Sequence, residues 1–142
     1  MKKHILIVDD DASIRMLLTF ILKQQYRVST CENGWEALAQ LASGEIPDLI
    51  IADLDMPKMT GFELLSHIRM SGLWRNLPFV ILSGFETPKT REACFQQGAS
   101  AYLLKPFNPE IVKREIAAAI ESTPFAGYSL RAWRQAKGPT IS

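Results

Sequence analysis

Three consecutive aspartates, Asp9, Asp10 and Asp11, follow the short apolar run Ile5–Val8. Asp53 and Asp55 follow a second run, Leu49–Ala52, while Ser83 follows Phe79–Leu82 and Lys105 follows Ala101–Leu104. Singly these residues are ordinary: an Asp behind a strand usually caps a helix, and a Ser there caps or turns. Jointly, four apolar runs each end in a carboxylate, a hydroxyl or an ammonium. Two carboxylates about 5 Å apart repel by roughly 3 kcal/mol at an effective dielectric near 20, so Asp9, Asp10 and Asp53 in one place need neutralising. Lys105 offsets part of that repulsion as a point charge on a long stem. A hard divalent cation offsets the rest, and carboxylates with water suit Mg²⁺. The same groups suit phosphoryl transfer to a carboxylate. Asp53 is the nucleophile; metal, Lys105 and the Ser83 hydroxyl with a backbone N–H each take one oxygen of the transferred group.

The elements that must position these groups are legible in the hydrophobic pattern. Ile5–Val8, Leu49–Ala52 and Phe79–Leu82 are continuously apolar, as strands covered on both faces are. Arg27–Cys31 and Ala101–Leu104 complete five strands. Between them run helical spacings. Ile14, Leu17, Leu18, Ile21 and Leu22 line one helix, with Asp11 or Ser13 at its start. Trp35, Leu38, Ala39 and Ala42 lie along one side of a second, from Gly34 to near Gly44. Thr60 and Glu63 form a capping box before Leu64, Leu65 and Ile68. Thr87-Pro88 opens a fourth helix that Gly98 stops, and Asn108-Pro109 opens a fifth with Val112, Ile116, Ala119 and Ile120 inward. Asp48 reads as a turn residue and Asp11 as a helix cap. Strands alternating with helices give an α/β fold with a parallel sheet and right-handed crossovers. In such a sheet ligands bind beyond the carboxyl ends of the strands.

With 142 residues and 47% apolar content, the chain fits one soluble domain and is neither disordered nor membrane-spanning. Ile5–Val8 is too short for a signal-peptide core, which points to the cytoplasm. All Asp and Glu precede residue 122, whereas Arg131, Arg134 and Lys137 follow it. The domain is therefore expected over 1–122, with 123–142 a tail or linker stub. That tail is too short for a helix-turn-helix, and the net charge of +1 gives no overall field for nucleic acid or membrane. Cys31 and Cys94 lack metal-site spacing and read as small core hydrophobes.

Four segments carry a family resemblance over about residues 3–122: Ile5-Leu-Ile-Val-Asp-Asp10, Asp53-Leu-Asp-Met-Pro-Lys-Met-Thr-Gly61, Ile81-Leu-Ser-Gly84 and Tyr102-Leu-Leu-Lys-Pro-Phe107. In this order and spacing the chain resembles the receiver domain of two-component response regulators. The resemblance implies a doubly wound, flavodoxin-like sheet of order 2-1-3-4-5 with helices on both faces. It implies that Asp53 is the phosphoacceptor, Asp10 a direct Mg²⁺ ligand, Asp9 a ligand acting mainly through water, and the Asp55 backbone carbonyl a further ligand. Ser83 and Tyr102 match the switch pair, with Lys105 three residues after Tyr102 as a catalytic residue, and the bond before Pro106 is expected to be cis. The implied donor is a histidine kinase or phosphotransfer protein. The implied readout is the face of the fourth helix, fifth strand and fifth helix, toward an effector or a phosphorylation-dependent dimer. The resemblance further implies that phosphorylation draws Ser83 to the phosphoryl group and lets Tyr102 rotate inward, as in a switch and not a turnover enzyme. The alternative is a magnesium-dependent aspartyl-phosphate phosphatase, because Asp53-Leu-Asp55 also resembles the nucleophile motif of haloacid-dehalogenase-type enzymes. In that family, however, the metal-binding acids lie downstream of the motif.

Overall fold

The computed structural model describes residues 1–122. Expectations for residues 123–142 lie outside it. The apolar runs become strands β1 (His4–Val8), β2 (Arg27–Cys31), β3 (Leu49–Asp53), β4 (Phe79–Ser83) and β5 (Ala101–Leu104), alternating with helices. The helices are α1 (Ala12–Leu22), α2 (Gly34–Ala42), α3 (Gly61–Met70), α4 (Pro88–Gln96) and α5 (Pro109–Glu121). All strand pairs are parallel, in the order β2-β1-β3-β4-β5. That is the expected fold.

Successive strand side chains point to opposite faces, so each apolar run feeds two cores. Leu6, Val8, Ile50, Ala52, Phe79 and Ile81 pack with Leu41, Leu64, Leu65 and Ile68 of α2 and α3. Ile5, Ile7, Leu49, Ile51, Val80 and Leu82 pack with Leu18 and Leu22 of α1 and Val112 and Ile116 of α5. Cys31 and Cys94 are buried free thiols, as expected. Among the described residues, no helix is long and apolar enough to cross a membrane.

Three local readings change. Strands β3 and β4 run one residue further than their apolar stretches, so Asp53 and Ser83 are their last residues rather than the first of a loop. On α2 the buried residues are Gly34, Ala37 and Leu41, while Trp35 is exposed. The side marked by Trp35, Ala39 and Ala42 is therefore not the one turned to the sheet; Gly34 faces the Met59 side chain, leaving no room there for a large residue. Asp48 is more than a turn residue. Its Oδ2 accepts the His4 N–H at 2.7 Å and its own N–H donates to the His4 carbonyl at 2.7 Å, tying β1 to the residue before β3.

Candidate functional site

The acidic residues meet beyond the carboxyl ends of β1 and β3. Asp9 directly follows β1, and Asp53 is the last residue of β3, which pairs with β1 in register (Val8 beside Ala52). Each strand is buried along its whole length, so its end is held rigidly. Asp9, Asp10 and Asp53 each offer a carboxylate oxygen within 4.8 Å of the others. Among the described residues that cluster does not include Asp11 or Asp55. Asp11 is the N-cap of α1, accepting the Ser13 N–H at 2.8 Å, so the capping reading holds and Ser13 is not the cap. Asp55 is exposed, and its N–H reaches Asp53 Oδ1 at 3.4 Å.

Lys105 follows β5, which sits beside β4; its N–H donates to the Ser83 carbonyl at 2.8 Å. The stem then spans to the acids, placing Nζ 3.2 Å from Asp53 Oδ1 and 3.4 Å from Asp9 Oδ2. The Lys105–Pro106 bond is cis, as the resemblance implies. Asp9 is fully buried with both oxygens engaged, Oδ1 by the Asp11 N–H at 2.8 Å and Oδ2 by Lys105. Asp10 is exposed.

Electrostatics follow from this burial. Burial raises the Asp9 carboxyl above its ordinary pKa, against the Asp11 N–H and Lys105. Asp53 is raised likewise, by burial first and by the Asp9 charge second, with Lys105 opposing. For Lys105, burial alone acts downward, but the attraction of Asp53 and Asp9 prevails and holds it above the usual lysine value. One ammonium thus serves two buried carboxylates with a third acid alongside, and the cluster retains excess negative charge. Such a set of hard carboxylate oxygens, part of it open to solvent at Asp10, fits Mg²⁺ by donor chemistry.

Ser83 and Tyr102 converge on one acceptor. The Ser83 hydroxyl donates to the Phe85 carbonyl at 2.7 Å and accepts the Phe85 N–H at 3.2 Å. The Tyr102 hydroxyl donates to the same carbonyl at 2.8 Å. Tyr102 is only 8% exposed. Its ring is therefore turned inward, within the core cluster shared with Cys94 and Ala99.

Two supporting residues were not read from the sequence. Arg15 donates from Nη1 to the Asp9 carbonyl at 2.6 Å; its place one turn beyond the Asp11 cap was the available signal. Gly61 starts α3 against the backbone of Asp53: a Cβ there would strike the Asp53 carbonyl oxygen, and the Gly61 N–H donates to the Leu54 carbonyl at 3.0 Å. A Thr-Gly pair opening a capped helix hinted at such a close approach.

Comparison with known proteins agrees with this arrangement. The family model described as the response regulator receiver domain matches residues 5–117. The two-component response regulator ORR6 of Oryza sativa subsp. japonica is 40% identical over 114 residues, covering 78% of this chain and 67% of that protein. ORR3 of Oryza sativa subsp. indica is 36% identical, covering 78% and 86%. Among solved structures, the chemotaxis protein CheY4 of Vibrio cholerae superposes with a TM-score of 0.78 at 35% identity, covering 84% of this chain and 99% of that one. Sheet order, clustered acids, bridging lysine and matched segments together place this chain in the family of response regulator receiver domains.

Proposed function

We propose that this chain is a phosphorylation-activated signalling switch whose acceptor is Asp53. The observation that carries the reading is the convergence of Asp9, Asp10 and Asp53 within 4.8 Å, with Lys105 bridging two of them. Asp9, Asp10, Asp53 and the Asp55 backbone carbonyl would hold Mg²⁺. Bound there, the ion neutralises charge on the acids and on an incoming phosphoryl group. Asp10 suits direct ligation because it is exposed, whereas both oxygens of Asp9 are already engaged, which suits a role through water.

In the transfer, an Asp53 carboxylate oxygen attacks the phosphorus of a phosphohistidine from a histidine kinase or phosphotransfer protein. An O–P bond forms and the P–N bond breaks, its electron pair staying on the imidazole nitrogen, so that a ring already protonated on its other nitrogen leaves as neutral imidazole. Lys105 is within reach of the acceptor and supplies positive charge where the equatorial oxygens develop theirs. The Ser83 hydroxyl must leave the Phe85 carbonyl to donate to the phosphoryl group, and Tyr102 then remains the side-chain donor to that carbonyl. This is a local electrostatic event biasing a two-state element, not turnover of a substrate. The readout is the α4–β5–α5 face, toward an effector or a second copy of the chain, with the domain ending near residue 122 and acting in the cytoplasm. No direct nucleic-acid contact is involved.

The deciding experiment is intact-mass measurement after incubation with acetyl phosphate and Mg²⁺. Wild type gains the mass of one phosphoryl group, and Asp53→Asn does not. An equal gain in the variant, or none in wild type, ends this reading.

A further inference from the structure

Arg69 lies in the last turn of α3, largely buried, and among the described residues it forms no ion pair with a carboxylate. Its guanidinium serves backbone carbonyls instead. Nε and Nη2 donate to Gly98 at 3.1 and 2.7 Å, and Nη1 donates to Leu77 at 2.6 Å and Arg75 at 3.0 Å. These carbonyls belong to two separate connections, α3–β4 and α4–β5. Gly98, at φ +109°, closes α4, with its N–H on the Phe95 carbonyl and the Ala99 N–H on that of Cys94. The cation therefore also sits at the negative end of the α4 dipole. Burial lowers its pKa to about 10, which leaves it charged at neutral pH.

The rest of α4 is held unevenly. Its buried residues, Cys94 and Phe95, both lie in its second half. The first half has the Thr87 cap on the Thr90 N–H, a partly exposed Arg91–Glu86 pair, a type of contact that contributes little, and the Arg91 guanidinium over the Phe95 ring at 4.8 Å. That loosely held end joins the segment carrying the Phe85 carbonyl, on which Ser83 and Tyr102 converge.

We propose that Arg69 is the fixed end of the switch: its fork pins the C-terminal end of α4 to α3, so that occupation of the acidic pocket displaces 84–91 while 94–99 stay in place. The stimulus rests on the phosphoacceptor reading; the pin itself does not. Arg69 is a positioning residue, remote from the reacting atoms. Lysine replaces it only in part, because a single ammonium lacks the planar fork with which the guanidinium holds carbonyls on two connections at once.

Hydrogen exchange on the full chain tests this, with and without Mg²⁺ and beryllofluoride as the phosphoryl analogue, in wild type, Arg69→Lys and Arg69→Met. In wild type the analogue alters exchange over 84–91 and leaves 94–99 unchanged. Without analogue, Arg69→Met speeds exchange at 94–99 by about tenfold, with the central strands unaffected. With analogue, the change then spreads through 94–99, and Arg69→Lys behaves the same way to a smaller degree. An analogue effect in wild type as large at 94–99 as at 84–91 overturns the proposal, and so does normal protection of 94–99 in Arg69→Met. If Arg69→Met does not fold, wild type and Arg69→Lys decide by the same criteria. Normal phosphoryl uptake at Asp53 with no exchange response over 84–91 also overturns it. Failure of uptake removes the phosphoacceptor reading alone, because the comparison without analogue still tests the pin.

Discussion

At the scale of single residues, the pocket is a place where charge is held at a cost. Because burial keeps Asp53 and Asp9 above the ordinary carboxylate pKa, with the Asp9 charge adding to the rise at Asp53 and the Asp10 charge to that at Asp9, their ionisation weakens the fold. That penalty is absent below about pH 4, where the unfolded carboxylates are also protonated, and is complete once pH has risen through the folded values. Asp53→Asn therefore raises Tm at pH 7 in EDTA by about 3 °C, the equivalent of about 1 kcal/mol in a domain of this size, and the gain vanishes near pH 3.5. A melt showing Asp53→Asn less stable than wild type at pH 7 refutes that account. Lys105 is the counterpart. Lys105→Met strands two buried carboxylates and lowers stability by about 2 kcal/mol, below the figure for a fully buried pair because the lysine side chain is 22% exposed. In the double variant with Asp53→Asn much of that loss returns, and a double-mutant cycle with zero coupling would contradict the bridge.

At the scale of elements, close approach of backbones fixes Asp53. Gly61→Ala drives a methyl group into the Asp53 carbonyl, so either α3 or the end of β3 must shift; a loss of about 2 kcal/mol and slower phosphoryl uptake are expected in chemical denaturation and mass measurements. The start of β1 carries a pH dependence. Burial and then Arg27 lower the His4 pKa, with Asp48 and Glu45 opposing, so the fold prefers neutral His4. That contribution is intact above about pH 6.5 and is lost as pH falls toward the lower folded value. His4→Gln keeps a polar group near Ser29, to which His4 Nε2 is hydrogen-bonded at 2.7 Å. Its stability should change less than that of wild type between pH 7 and 5, and parallel curves would sink the assignment. These elements differ in how far their sequences disclosed them. Strands buried on both faces must be apolar throughout, so β1, β3 and β4 were plain, and the caps at Asp11, Thr60, Thr87 and Asn108 announced their helices. Helix α2 misled because a tryptophan implies burial while the packing needed small residues at Gly34 and Ala37. The carbonyls of Phe85, Leu77 and Gly98 left no mark, since any residue supplies a carbonyl.

At the scale of the molecule, two apolar cores hold the sheet from both faces while its carboxyl edge gathers like charges whose repulsion acts to drive them apart. The stability of the cores is what allows the edge to stay strained, and a ligand that neutralises the edge must in turn stabilise the whole fold. Linkage fixes the size of that effect: a cation binding only the native state adds RT ln(1 + [L]/Kd), about 2.7 kcal/mol at a hundred times Kd. Mg²⁺ should therefore raise Tm progressively with concentration, by about 8 °C at that excess. NaCl at matched ionic strength should not reproduce the rise, because the buried acids are poorly screened. Asp10→Asn, which leaves the Lys105 bridge to Asp9 and Asp53 in place, should abolish most of the Mg²⁺ shift while leaving the metal-free Tm near or above that of wild type. A Mg²⁺ shift of full size in Asp10→Asn would mean that the ion binds elsewhere on the surface, and the acidic edge would then have to be stable without it.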